Sequence, residues 1–394
     1  MPFYHRLGDI PRKRHMQFRK EDGGLHQEQL IGNKGFSGIS SLMYHIRPPT
    51  TVTDYELVRE VKLEKDPDAR LRHRHFRLME TPVGGSPVMD RRPLLFNSDV
   101  SSWWVRPDTE DDFFYRNAQG DELVYVSEGR GTLETQFGDL PFRQGDYIVI
   151  PRSIMHRYRF DTVGREDGAG LGALLILEAN GYYRAPERYR NEHGQLIEGA
   201  PFSERDIRPP ETLRTHDEEG EFPIVVKQYD ALTRFTLDHH PLDVVGWDGY
   251  FFPWAFSIYD FEPKVGRFHL PPPVHQTFEC EGFVVCSFCP RPYDFDPESV
   301  PAPYAHSNVM SDEVLFYSSE EFMSRKGIAY GSLTLHPDGI PHGPHPGKTE
   351  DSIGKKGTDE YAVMFDTFRP LYVAKGLTDY EDDTYQRSWL AVEP

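Results

Sequence analysis

The sequence contains little cysteine and no long hydrophobic run. Only three of its 394 residues are cysteines, Cys280, Cys286 and Cys289. A small, odd number of cysteines predicts reduced thiols and excludes a disulfide-built secreted domain. The uncharged apolar stretch at residues 168–177 has only the length of one strand, and the first residues carry no apolar segment. We therefore expect no membrane span, no signal peptide and a cytoplasmic location.

Positive charge is also scarce. The chain has 44 Lys and Arg against 63 Asp and Glu, which gives a net charge of -19. We interpret the short basic run at positions 11–15 as a solvated arm. A surface for nucleic acid needs a basic patch, so this composition argues against that class of partner.

Turn-forming and aromatic residues are abundant instead. The chain has 33 Pro, 33 Gly and 13% aromatic residues, and few segments show helical periodicity. This composition favours short strands joined by many turns, with few short helices. We predict an all-β, or at least β-dominated, protein, and the length favours two domains over one.

Residues that ligate metals lie at a regular spacing near the C-terminus. His306 and Asn308 are followed by Glu313 in the pattern H-x-N-x4-E, and residues 331–342 read G-x5-P-x-G-x2-H, ending at His342. Side chains two apart share one face of a strand, and the turn at residues 337–339 would bring His342 back beside them. Two histidines and one carboxylate hold non-haem Fe(II) on one face and leave the opposite face open.

A diverged copy of this pattern precedes it. Glu122 begins E-x6-G, and residues 145–156 read G-x5-P-x-S-x2-H, ending at His156. The two copies resemble the paired motifs of cupin barrels and predict a bicupin of two β-sandwich or jelly-roll units. Glu122 and His156 alone are too few for a metal site. We therefore predict a metal-free N-terminal β domain, residues 1–260, and a catalytic cupin domain, residues 261–394.

The cysteines allow one other metal hypothesis. Cys286 and Cys289 form a C-x2-C pair, which could be half of a zinc site. No second C-x2-C exists, and Cys286 lies in the apolar run at residues 283–288. We interpret this run as a buried strand.

At these motifs and elsewhere the chain resembles the homogentisate 1,2-dioxygenase family. The similar segments cover most of the chain: residues 23–25, 35–38, 42–48, 243–247, 303–308 and 341–344. The resemblance implies Fe(II) bound by His306, Glu313 and His342, and a homo-oligomer, either a trimer or a hexamer. It further implies O2-dependent opening of homogentisate to maleylacetoacetate in tyrosine and phenylalanine catabolism.

The resemblance also implies roles for further residues. His269 matches the acid/base histidine of the family, while His275 would orient a neighbour or pack. His336 matches a histidine that lies behind the ligands or touches substrate; a satisfied barrel histidine is the alternative. Asp312 competes with Glu313 for the carboxylate position, because family members often have one residue fewer after the histidine. We choose Glu313 because its residue type matches the family.

Departures from the family pattern fall where substrate is selected. Phe322 stands where the family commonly has a tyrosine, and Glu320 replaces a glycine. Arg325 and Lys326 remain nearby and could bind a carboxylate. We predict that His336, Phe322 and Arg325 contact a small aromatic substrate, either homogentisate or a related hydroquinone or gentisate-like compound.

Two other classes use similar residues. A metal-dependent cupin isomerase with Mn(II) or Zn(II) would usually keep both histidines of H-x-H, whereas this chain has Asn308. A non-catalytic bicupin would be expected to lose ligands in both halves, whereas this chain loses them only in the first. The metal content separates the three hypotheses: iron for the oxygenase, Mn or Zn for the isomerase and none for the binding protein.

Overall fold

The protein folds almost entirely into short strands. A computed structural model describes residues 3–162, 170–320 and 322–390. In this part of the chain the strands, in order, are β1 His5–Gly8, β2 Gln27–Gly32, β3 Ser40–His45, β4 Asp54–Glu60, β5 Arg74–Arg77, β6 Arg92–Phe96, β7 Val100–Val105, β8 Phe114–Asn117, β9 Asp121–Glu128, β10 Arg130–Thr135, β11 Leu140–Arg143, β12 Asp146–Ile150, β13 His156–Phe160, β14 Ala173–Ala179, β15 Ile207–Arg208, β16 Glu219–Gln228, β17 Ala231–His239, β18 Val244–Gly249, β19 Trp254–Ser257, β20 Gln276–Cys280, β21 Phe283–Phe288, β22 Arg291–Pro292, β23 Asp312–Tyr317, β24 Ser332–His336, β25 Gly357–Thr358, β26 Ala362–Thr367 and β27 Tyr372–Val373.

Helices in these residues are few and short. One α-helix, α1, spans Lys348–Ser352. The remaining helical turns are of the 3-10 type, at Leu78–Glu80, Glu187–Tyr189, Glu204–Asp206, Ile258–Asp260, Pro272–His275, Leu377–Tyr380 and Tyr385–Arg387. None of the helices in the described ranges has the length and apolar character needed to cross a membrane. The prediction of a β-dominated bicupin is confirmed.

The strands form two barrel-like units from three large sheets. The seven-stranded sheet has the order β11-β10-β13-β8-β16-β17-β4, and the eight-stranded sheet has the order β15-β19-β12-β9-β14-β7-β6-β27. The six-stranded sheet β20-β21-β26-β23-β24-β5 belongs to the second unit. A four-stranded sheet β1-β18-β3-β2 and the pair β22-β25 complete the fold.

Two of the sheets contain strands from both sides of residue 260. Strand β5, from the first hundred residues, pairs with β24 of the six-stranded sheet, where Leu333 lies opposite Phe76. Strand β27, near the end of the chain, pairs with β6 of the eight-stranded sheet. The division at residue 260 stays a prediction, and each unit is completed by a strand from the other side of it.

Successive side chains of strand β23 point to opposite faces and enter two different apolar clusters. On β23, Val314 and Phe316 join the large core shared by both units, whereas Leu315 and Tyr317 join a small cluster inside the second barrel. The Phe316 ring lies 5.4 Å from that of Trp104 on β7, so the outer face of β23 packs against the eight-stranded sheet. Because successive side chains point to opposite faces, Glu313 points into the second barrel with Leu315 and Tyr317.

Candidate metal centre

Glu313 lies at the centre of a cluster of histidines. It is paired with His336 across the β23–β24 hairpin, and its Oε1 lies 2.7 Å from His336 Nδ1 and 3.3 Å from His342 Nε2. Its Oε2 lies 3.7 Å from His306 Nε2. Burial alone would raise the pKa of Glu313, but the three histidines around its carboxylate, including the hydrogen-bonded His336, hold the pKa well below its usual value. The carboxylate is therefore ionised.

His306 and His342 are joined to each other through the backbone. The His306 amide donates to the His342 carbonyl at 2.8 Å, and the reciprocal bond measures 2.9 Å. We expected both residues on regular strands, and this prediction is wrong, because they form a single isolated bridge. Pro303 and Pro341 flank them, and proline lacks the N–H that a continuing ladder needs.

The three predicted ligands converge. One ligand atom from each of His306, Glu313 and His342 lies within 4.8 Å of the others. Neither ring nitrogen of the buried His342 has a hydrogen-bond partner in the described chain, although buried polar groups are normally satisfied. A metal ion would provide a partner for His342 Nε2, which faces Glu313, and would neutralise the Glu313 carboxylate. The donor set of two imidazoles and one carboxylate thus fits a transition metal such as Fe(II).

Asp312, the competitor for the carboxylate position, points elsewhere. Its Oδ1 accepts the Asp338 amide at 2.7 Å, and its Oδ2 accepts the Leu371 amide at 2.7 Å. Both oxygens thus hold loops on the outer face of the sheet. This geometry supports Glu313 as the ligand.

His336 lies behind the ligands. Its side chain is fully buried, Nδ1 contacts Glu313, and Nε2 lies 3.0 Å from the Tyr385 hydroxyl. It does not line the cavity that reaches the metal ligands. The described geometry places His336 against Glu313 and away from the cavity, and its contact with substrate stays a prediction.

Two of the three predicted ligands, His306 and Glu313, open onto a largely apolar cavity. It has a volume of about 950 Å³ including its mouth, and it reaches His306, Glu313, His269 and His275. The His269 side chain is 35% exposed, and its Nδ1 lies 3.6 Å from Asp294 Oδ2. His275 is buried, its ring stacks on Phe288 at 4.5 Å, and burial lowers its pKa to about 3. Of the two, His269 has an acidic partner that can stabilise a captured proton.

Phe322 and Arg325 line the same cavity. Phe322 is buried and packs edge-on against Tyr317 and Phe288. Arg325 is buried too; its Nη1 donates to the Gly343 carbonyl at 2.6 Å, and its Nε has no partner among the described residues. Lys326 is exposed and donates to the Pro346 carbonyl, outside the cavity lining. Of the two predicted cations, only Arg325 is in reach of a bound molecule.

Sequence reasoning missed three residues around the centre. The His73 ring lies 5.8 Å from that of His342, and its Nε2 lies 3.1 Å from the Pro341 carbonyl. Tyr385 contacts His336, as described above. Asp366 lies opposite Glu313 on β26, and burial raises its pKa well above the usual value, with Glu313 adding to the effect. Only Asp366 carries a sequence signal, as a lone acid within the apolar run at residues 362–367.

In the first unit, an arginine lies beside Glu122, the acidic residue of the diverged motif copy. Arg91 Nη1 lies 2.8 Å from Glu122 Oε1, which also accepts from Asn117 Nδ2 at 3.0 Å. His156 is fully buried, and its Nδ1 lies 3.0 Å from the Ile154 carbonyl. The guanidinium supplies the positive charge that a metal would otherwise bring to Glu122. This contact supports the prediction of a metal-free first unit.

In the described part of the chain, the cysteines form no cluster with other metal-ligating side chains. All three thiols are free and buried. Cys286 packs inside the second barrel with Leu315 and Met364, and Cys289 Sγ lies 3.2 Å from the Phe261 carbonyl. The predicted strand at residues 283–288 is confirmed as β21.

Three comparisons relate the chain to known proteins. A family model described as homogentisate 1,2-dioxygenase N-terminal matches residues 98–258, within the first unit. A protein of Saccharolobus solfataricus, named provisionally as a dioxygenase, is 40% identical over 392 residues and 99% of each chain. The homogentisate 1,2-dioxygenase of Nitrobacter hamburgensis is 28% identical over 94% of this chain and 87% of its own.

Similarity to solved structures is weaker. A cupin 2 conserved barrel domain protein from Leptotrichia buccalis aligns with 78% of this chain and 99% of its own, at 9% identity and a TM-score of 0.33. A superposition at this level carries no argument about chemistry.

Proposed function

Because the chain belongs to the homogentisate 1,2-dioxygenase family, we propose that it is an Fe(II)-dependent dioxygenase that opens the ring of homogentisate. The observation that carries the proposal is the convergence of His306, Glu313 and His342 at the end of an apolar cavity. His306, Glu313 and His342 would hold Fe(II), which would supply the Lewis acidity and the O2 activation that ring opening needs. The product would be maleylacetoacetate, as in tyrosine and phenylalanine catabolism.

The residues around the ligands have separable tasks in this proposal. His336, held by Tyr385, keeps the Glu313 carboxylate in one orientation, which is the usual effect of a hydrogen-bond partner behind a ligand. Asp312 fixes the turn at Asp338 that precedes His342. These contacts preorganise the three ligands before any metal or substrate binds.

His269 is proposed as the base that removes a phenolic proton. It lines the cavity and has Asp294 at 3.6 Å, which would stabilise the protonated imidazole. His275 is a poorer candidate, because burial lowers its pKa to about 3, which makes it a weak base, and Phe288 covers one of its faces. The proton therefore moves to His269 at the more exposed part of the cavity.

Arg325 is proposed to bind the substrate carboxylate. Its guanidinium is buried in the cavity lining and has an unpartnered Nε, and a planar guanidinium suits a carboxylate. Phe322 supplies an apolar edge where the family commonly supplies a hydroxyl. This departure favours a second candidate, a related hydroquinone or gentisate-like acid that makes no hydrogen bond at that position.

Oxygen consumption by the Fe(II)-loaded protein tests the proposal. The panel is homogentisate, gentisate, hydroquinone and catechol, with metal content measured under anaerobic conditions. We expect about one iron per chain and fastest uptake with homogentisate. Fastest uptake with another acid of the panel supports the second candidate, while bound Mn or Zn with no uptake would turn the assignment towards an isomerase.

The family also supports two expectations about the whole protein. We expect a homo-oligomer, a trimer or a hexamer, and a cytoplasmic location in keeping with three unpaired thiols. Sedimentation analysis of the iron-loaded protein checks the first expectation.

A further inference from the structure

A second cavity lies in the first unit, at the seven-stranded sheet. It has a volume of about 780 Å³ and is bounded on one side by the β2–β3 hairpin, through Gln29 and His45. Its sheet wall is apolar and consists of Met155, Ile224, Val226, Phe235 and Leu237. None of its lining residues lines the cavity of the metal centre. The two cavities are therefore separate sites.

Arg116 is the cation in the wall of this second cavity. Its neighbours on β8, Tyr115 and Asn117, contact Glu122 inside the barrel. Alternation along the strand turns Arg116 to the opposite face, which it shares with Phe114 and the apolar wall. The arginine side chain thus points away from the Glu122 carboxylate and towards the second cavity.

Arg116 has no acidic partner in the described chain. Arg116 Nη2 lies 4.0 Å from Met155 Sδ. The Nε atom of Arg116 is buried and has no hydrogen-bond partner in the described residues. Burial lowers the pKa of Arg116, and no carboxylate offsets this effect. Two buried cations of the same unit do have acidic partners. Arg91 pairs with Glu122, and Lys227 pairs with Glu178.

Asp243, the acidic residue in the cavity wall, already has hydrogen-bond partners for both of its carboxylate oxygens. Asp243 Oδ1 lies 2.6 Å from His45 Nδ1, and its Oδ2 accepts the Arg47 amide at 2.8 Å. His239 Nδ1 lies 2.7 Å from Asp238 Oδ1. Among the described residues no carboxylate therefore matches the charge of Arg116, although a charge removed from water is costly unless it is paired.

We propose that this cavity binds a small organic monocarboxylate, whose carboxylate group pairs with Arg116 and whose hydrocarbon part packs against the apolar wall. A guanidinium offers two parallel N–H donors to a carboxylate, and this geometry satisfies both partners. A free phosphate would leave the apolar wall in contact with water. A neutral apolar ligand would leave the arginine unpaired.

Calorimetric titration with octanoate, using the iron-loaded protein, tests the proposal. Octanol, which has the same chain length and no charge, is the ligand control. Arg116→Met removes the charge and keeps most of the side-chain volume, Arg116→Lys keeps the charge, and Arg234→Met removes a half-exposed arginine from the same sheet. We expect octanoate to bind the original chain and Arg234→Met equally, and Arg116→Met about tenfold to 100-fold more weakly.

Two further readouts separate a binding defect from a folding defect. Arg116→Met should melt at the same or a higher temperature than the original chain in anion-free buffer, because an unpaired buried charge has been removed. Its oxygen uptake should be unchanged, since the cavities share no residue. Equal octanoate binding by Arg116→Met and the original chain, equal binding of octanol and octanoate, or no octanoate binding at millimolar concentration would each overturn the proposal.

Discussion

Asp312 and Glu313 are adjacent on one strand, and their carboxylates serve opposite faces of it. Asp312 accepts two backbone amides on the outer side of the sheet, while Glu313 contacts three histidines inside the barrel. The two-residue period of a strand makes this division unavoidable once either residue is fixed. Neighbouring acids in the sequence therefore have different chemistry available to them.

The first prediction follows from this division. His306→Ala, Glu313→Gln and His342→Ala should each lose most bound iron, because each change removes one ligand. Asp312→Asn should retain most of the iron and should lower the thermal stability, since one of its two amide contacts is weakened. Iron per chain after anaerobic loading is the measurement. Loss of iron in Asp312→Asn with retention in Glu313→Gln would reverse the assignment.

The proposed base gives a second prediction. His269→Ala should keep its iron and turn over about 10²-fold more slowly, the usual scale for removing a positioned base. His275→Ala is the matched control, and its turnover should fall less because its neutral ring packs on Phe288. Normal turnover by iron-loaded His269→Ala would move the role to another histidine.

Phe322 allows a test of the substrate. If homogentisate is the substrate, Phe322→Tyr should lower KM by adding a donor near the anionic ligand, with a smaller change in kcat. If the natural substrate lacks a group to accept this bond, the hydroxyl is buried without a partner and binding weakens by about 1 to 3 kcal/mol. Steady-state oxygen uptake distinguishes the two. A raised KM for homogentisate, alongside good activity of the original chain on another hydroquinone, would exclude homogentisate.

Tyr385 is expected to support the metal centre from behind. Its hydroxyl lies 3.0 Å from His336 Nε2, so Tyr385→Phe frees His336 to rotate and loosens Glu313. We expect iron affinity to fall by about tenfold to 100-fold. Tyr380→Phe, in the preceding 3-10 helix, is the matched control and should bind iron as the original chain does. Equal affinities in a competition titration with a chelator would refute the role.

The raised pKa of the buried Asp111 carboxyl leads us to predict that the stability of the protein depends on pH. Burial raises the pKa of Asp111 from 3.8 to about 6, although Ser86 and Arg91 oppose the shift. Between about pH 4 and pH 6 the folded chain therefore holds a proton that the unfolded chain has released. The free energy of unfolding should decrease as the pH rises through this window, by about 2 kcal/mol from this group.

Asp111→Asn isolates that contribution. The variant cannot ionise at this position, so the difference in unfolding free energy between the two proteins should change by about 2 kcal/mol between pH 4 and pH 6. Denaturant titrations at a series of pH values measure it. Parallel curves for the two proteins would show that Asp111 has an ordinary pKa in the folded state.

Several features could be predicted from the sequence because they depend on local spacing. The order of His306, Glu313 and His342 follows a motif that short hairpins impose, and the run at residues 283–288 has the apolar character of a buried strand. The degenerate copy at Glu122 and His156 was visible in the same way. What the spacing could not give was the backbone form around His306 and His342, because the flanking prolines break the ladder.

Other features were decided only by tertiary structure, because they join residues far apart in the chain. Strand β5 completes the second barrel from more than 200 residues upstream and brings His73 against His342. Arg91 reaches Glu122 from the residue that precedes β6, and Tyr385 reaches His336 from near the C-terminal end of the described chain. Local sequence fixes which face a side chain occupies, whereas the partner on that face depends on how distant strands pack.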